Sequence, residues 1–216
     1  MTFNKAKYSI IEDFIKINSQ NEVKIVAITK YHSTESIEEA INSGVRIFGE
    51  NRVQEAKNKY LKLKNTFEDI ELHLTGPLQT NKVKNALKVF DVFQTLDREK
   101  LANEFYKYKK YLQEKSFFIQ INTGKEESKS GVYEENADEF IKYCLHDLKL
   151  PVVGLMCIPP SQENPTPHFS LLKKIAAKNN LKQLSMGMSG DYKEAILAGA
   201  TYIRVGTALF GYRDEK

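Results

Sequence analysis

The sequence predicts an α/β fold, a single TIM-like (β/α)8 barrel with an N-terminal helix completing the outer helical ring. Three observations lead there. Eight short runs rich in Ile, Val, Phe and Tyr recur along the chain, charged segments of 3.6-residue periodicity separate them, and 216 residues suffice for one domain, 1–216, with a sizeable core. Strands that alternate with helices imply parallel pairing. A doubly wound open sheet satisfies the same periodicity; the count of eight strands and the absence of GxGxxG favour closure.

The predicted strands, in order, are "KIVAITK" (24–30), "RIFGE" (46–50), "ELHLTG" (71–76), "VFQTLD" (92–97), "SFFIQIN" (116–122), "VVGLMCIP" (152–159), "QLSMG" (183–187) and "YIRVGT" (202–207). Between them fall seven helical segments, "TESIEEAINSG", "NRVQEAKNKYLKLK", "NKVKNALKVF", "REKLANEFYKYKKYLQE", "YEENADEFIKYCLHD", "PTPHFSLLKKIAAKNN" and "DYKEAILAGA". Thr34 and Asp191 are suited to N-cap positions, and Gly44 and Gly199 sit where helices should stop. Only a turn, "VGTALFG", and the segment "GYRDEK" follow the eighth strand, so a helix over 2–18 is expected to fill the remaining place in the ring.

Composition narrows the function classes. The formal charge of +4 arises from 32 basic and 28 acidic residues spread along helix faces, the pattern of solvated surfaces rather than of a nucleic-acid patch. Cys144 and Cys157 have no second pair to complete a zinc site and read as reduced core residues. No segment has the apolar length of a membrane span, and residues 1–20 lack the unbroken apolar core of a signal peptide, so a cytoplasmic location is expected. No metal spacing, HExxH or P-loop occurs.

In a parallel barrel the C-terminal strand ends converge on one face. That face carries Lys30, Glu50 and Asn51, Gly76, Asp97, Asn122, Pro159, Ser185 to Ser189, and Arg204 to Thr207. An amine ending an apolar strand is penalised in its charged form, which favours nucleophilic use on a carbonyl compound; a lysine that snorkels to solvent accounts for the same segment. The loops after strands seven and eight resemble a phosphate cradle, with hydroxyls at Ser189 and Thr207 and close backbone approach at Gly206. Small residues of this kind also serve turns and packing. Arg204 lies inside an apolar strand, on the side shared with Gly206, and requires either a ligand or an ion-pair partner such as a glutamate. Together, amine, cradle and inward arginine describe a site for a phosphorylated aldehyde. His73 reads as a hydrogen-bonded core histidine, with no activated Ser or Cys paired to it.

These residues lie in "VAITK", "FGENRVQEA", "LHLTGPLQTNK", "INTGKEESKSGV", "GLMCIPP" and "LSMGMSGDYKEAILAGATYIRVGTALFG". The set, which covers nearly the whole chain, resembles the pyridoxal phosphate homeostasis proteins, the YggS/PROSC family. The resemblance implies a barrel similar to the N-terminal domain of alanine racemase that binds pyridoxal 5'-phosphate (PLP) as a Schiff base on Lys30. It further implies that Ser189, Gly206 and Thr207 bind the phosphate, that Arg204 faces the pyridine nitrogen and that Asn51 lies near the ring hydroxyl, with no catalytic residue assigned. An arginine at that nitrogen disfavours ring protonation and weakens the electron sink, so a carrier in vitamin B6 and amino-acid homeostasis is expected rather than an enzyme. A PLP-dependent racemase and a cofactor-free Schiff-base aldolase are the alternatives. A monomer, with apo PLP-dependent enzymes as candidate recipients of the cofactor, follows from the same resemblance. Two departures stand out: Arg52 follows "FGEN" where the family commonly has an aromatic residue, and no proline follows the Lys30 segment.

Overall fold

The computed structural model describes residues 2–211; the rest of the "GYRDEK" segment lies outside the described residues. Eight parallel strands close into a barrel in chain order: β1 (Lys24–Ile28), β2 (Ile47–Glu50), β3 (Glu71–Leu74), β4 (Val92–Leu96), β5 (Ser116–Ile121), β6 (Val152–Cys157), β7 (Gln183–Met188) and β8 (Tyr202–Val205). Closure is made by β1 against β8, with Lys24 opposite Tyr202 and Val26 opposite Arg204. The open-sheet alternative is thereby excluded.

Outside the strands lie α1 (Lys5–Asn18), α2 (Thr34–Asn42), α3 (Val53–Thr66), α4 (Val83–Ala86), α5 (Glu99–Tyr106), α6 (Glu134–Lys142), α7 (Pro165–Lys178), α8 (Tyr192–Ala198) and α9 (Thr207–Phe210). The "VGTALFG" segment is therefore a short helix rather than a turn. Even so, α1 packs against α8 and α9, Asn4 N–H donates to Leu209 O at 2.8 Å, and Phe3 meets Phe210 at 5.5 Å between ring centroids. The N-terminal helix fills the ring as expected.

Helix ends follow local chemistry. Ser33, not Thr34, caps α2, because its hydroxyl accepts from Ser36 N–H and Thr34 becomes the first helical residue. Asp191 holds the N-cap position of α8 without a side-chain cap bond, its carboxylate accepting instead from Met188 N–H at 2.6 Å, and Gly199 ends the helix at φ 102°. The helix expected over 81–90 shrinks to a 3-10 turn and α4, after which Phe90 buries its ring against Phe93.

Alternation along the strands divides the core in two. Side chains facing the helices form the large apolar layer, including Phe48, Tyr60, Leu72, Phe93 and Phe117. The lumen holds a smaller group, Val26, Val92, Phe118, Met156 and Tyr202, with Ile28 and Ile47 against it. Among the described residues no helix is long and apolar enough to cross a membrane.

Candidate functional site

Lys30 lies in a turn two residues beyond the end of β1, not within the strand, and is half-buried. It follows Val26 and Ile28, which line the lumen. Its neighbours are fixed by β1's two partners. On one side β8 runs into Gly206, where an added Cβ would come within 3.2 Å of Ile28 Cβ and 3.3 Å of Ile28 O, so this close approach suits glycine. On the other side β2 pairs Gly49 with Ile28 and leads into Asn51.

Next to Gly206, the backbone N–H groups of Gly206 and Ala208 both point at Ser189 Oγ, each at 3.4 Å. Two amides and a hydroxyl thus converge at the mouth of the lumen, with Thr207 exposed beside them. This donor set contains no carboxylate and suits an anion. β7 extends to Met188, so Ser185 lies inside the strand and only Ser189 reaches the loop.

Arg204 is 4% exposed and points into the lumen. Its Nη1 donates to Ser185 Oγ at 2.7 Å and its Nη2 to Cys157 O at 2.8 Å. Among the described residues no carboxylate lies within ion-pair distance, so the glutamate partner considered for it is absent, and burial lowers its pKa. Behind it the hydrogen bonds continue. Ser185 Oγ donates to Gln94 Oε1 at 2.6 Å, Gln94 Nε2 to His73 Nδ1 at 2.7 Å, and His73 Nε2–H to Glu71 Oε1 at 2.7 Å. Burial lowers the His73 pKa, consistent with a neutral ring. The core role read for His73 holds, with this string as its reason.

Asn51 accepts from Thr75 Oγ1 at 2.9 Å, which leaves its amide nitrogen to donate elsewhere. Asn122 faces a different task, tying down its own loop through Glu126 and Lys129 backbone carbonyls. Both thiols are buried and pushed up to about 12, chiefly by burial. Gln94 and Thr75 hold neighbouring polar groups and are not singled out by sequence; a buried amide in "VFQTLD" reads like any strand residue until its partner is known.

A closed parallel barrel, with a lysine, a serine hydroxyl met by two backbone amides and a buried arginine towards one mouth, places the chain among the (β/α)8 barrels. The family model for the alanine racemase N-terminal domain matches residues 13–214. Relatives include the pyridoxal phosphate homeostasis proteins of Aquifex aeolicus, 41% identical over 90% of this chain and 89% of that one, and of Escherichia coli K12, 34% identical over 91% and 88%. The chain belongs to the pyridoxal phosphate homeostasis family. Among solved structures, PipY of Synechococcus elongatus without PLP is 31% identical with TM-score 0.86, covering 96% of this chain and 99% of that one, and the same protein with PLP bound gives 30% and 0.84. Alanine racemase from Corynebacterium glutamicum, at 15% identity and TM-score 0.70, shares the fold over 99% of this chain and 63% of its own.

Proposed function

We propose that this chain, as one barrel domain, binds PLP covalently through Lys30 and serves its homeostasis in the cell without robust turnover of amino acids. The residues present fit the group: an amine for the aldehyde, two backbone amides with Ser189 and Thr207 for the phosphate, and Asn51 as a further donor beside the ring hydroxyl. The relatives' names, and the PLP-bound PipY, support the same ligand. PLP, when bound, supplies an electron sink for carbanions at the amino-acid α-carbon.

The observation that carries the non-catalytic reading is Arg204. Its guanidinium donates to Ser185 and Cys157 O and, having no lone pair with which to accept, can only donate towards a ring nitrogen. A neutral pyridine is a weak sink, and a protonated one beside this cation is electrostatically disfavoured. Handover to apo PLP-dependent enzymes, as a monomer, belongs to the same reading.

The test is an absorbance spectrum of purified protein. A near-visible band that disappears on borohydride reduction, with label on Lys30, supports it; a colourless protein that still reacts with a sugar phosphate at Lys30 replaces it with a cofactor-free aldolase. Sustained racemisation of single-enantiomer amino acids, abolished by Lys30→Ala, would defeat the carrier assignment.

A further inference from the structure

Behind Lys30, on the face of β1 turned towards α3, lies a charged cluster that the site above does not use. Its centre is Lys59. The ammonium donates to Thr29 O at 2.9 Å, to Glu50 Oε1 at 3.1 Å and to Glu55 Oε1 at 2.7 Å, which uses all three of its hydrogens. The same Glu55 oxygen accepts the backbone N–H of Tyr31. Thr29 Oγ1 donates to Glu50 Oε1 at 2.8 Å and lies 2.7 Å from the Tyr60 hydroxyl.

The peptide bond entering Lys30 is Thr29's carbonyl, and the one leaving it is Tyr31's amide. One ammonium holds the first directly and the second through Glu55. Side-chain exposure is 13% at Lys59, 19% at Glu55 and nil at Glu50, so these interactions work in a poorly screened setting. Tyr31 sits at φ 67°, a left-handed conformation unusual for a side chain of its size, which the surroundings must hold in place. Tyr31 is also stacked under Arg52, 5.5 Å from the ring centroid, which gives the residue that departs from the family pattern a role in the same turn.

We propose that Lys59 is a positioning residue that, with Glu50 and Glu55, clamps both peptide groups flanking Lys30, fixes the direction in which its amine enters the lumen and thereby sets how long the cofactor is retained. This rests on Lys30 being the cofactor lysine. In the reaction concerned, the neutral Lys30 amine adds to the aldehyde carbon, a carbon–nitrogen double bond forms, and the aldehyde oxygen departs with the two amine hydrogens as water; release is the reverse with water returned. The clamp leaves that balance unchanged and acts on the approach of the nitrogen.

The test compares the wild type with Lys59→Met, Lys59→Arg and Glu55→Ala, each loaded with PLP. Two readings are taken: the pH midpoint of the near-visible band, and the half-time of cofactor loss when alkaline phosphatase consumes what is released. Lys59→Met should shorten the half-time about tenfold and move the midpoint by about one pH unit, the scale of one lost charge-assisted hydrogen bond. Lys59→Arg should restore most of both, and Glu55→Ala should shift them in the same direction by less. Unchanged midpoints and half-times in variants that fold and still take borohydride label at Lys30 overturn the proposal and spare the cofactor assignment. A wild type that takes no label at Lys30 overturns both. If Lys59→Met fails to fold, Glu55→Ala decides alone, since it removes the acceptor for Tyr31 N–H and leaves Lys59 on Glu50 and Thr29.

Discussion

A lysine and an arginine interrupt otherwise apolar strand sequence at Lys30 and Arg204, and both were legible because a charge in such a run needs a reason. Lys30→Ala is expected to abolish both the near-visible band and borohydride labelling, as read by absorbance and peptide mass, while the circular dichroism of the barrel stays that of the wild type. Glu50 was visible at a strand end but its partner was not, since Lys59 reads like any other lysine in a lysine-rich helix. The consequence is a titration. Burial, reinforced by Glu55 and opposed by Lys59 and Thr29, pushes the Glu50 carboxyl from 4.5 up to about 7, and its Oε2 has no hydrogen-bond partner. A raised carboxyl contributes stability that is full below its unfolded value and is lost as pH rises through its folded value. Unfolding temperature should therefore fall from about pH 5 to pH 8, with a ceiling on the order of 3 kcal/mol. Glu50→Gln should flatten that part of the profile; an identical slope in both proteins would contradict the assignment.

Elements were easier to read than their ends. Every predicted strand exists, because β-branched and aromatic runs bounded by turn residues report a buried parallel strand. The ends moved where tertiary contacts outweighed local preference: β1 stops before Lys30 because Thr29 turns to α3, and β7 runs on to Met188 because its backbone pairs with β8 at Arg204. The loop after β3 depends on one residue without a side chain. A Cβ at Gly76 would meet Asn51 O at 2.4 Å, and both are backbone-anchored. Gly76→Ala should thus lower stability by about 1–3 kcal/mol in denaturant unfolding and weaken cofactor binding by displacing Asn51. Normal PLP affinity in that variant would remove Asn51 from the site.

At the scale of the whole molecule, closure turns eight separate strand ends into one mouth, which is why residues as far apart in sequence as Lys30, Asn51, Ser189 and Arg204 come to the same end of the barrel. That much follows from counting strands. The interior of the lumen does not, because periodicity says which residues point inward and nothing about which inward polar groups meet. The string Arg204–Ser185–Gln94–His73–Glu71 joins β8, β7, β4 and β3 by consecutive hydrogen bonds. Gln94→Leu strands His73 Nδ1 and the Ser185 hydroxyl at once and is expected to cost about 2–4 kcal/mol. Pairing it with Ser185→Ala should cost less than the two single changes added, with a coupling of about 0.5–3 kcal/mol in a double-mutant cycle. Strict additivity would mean that the groups act independently. If they are coupled, sequence drift in this lumen is constrained jointly: a lineage that alters one member must alter its neighbours within few steps, so the string is inherited, lost or redesigned as a block.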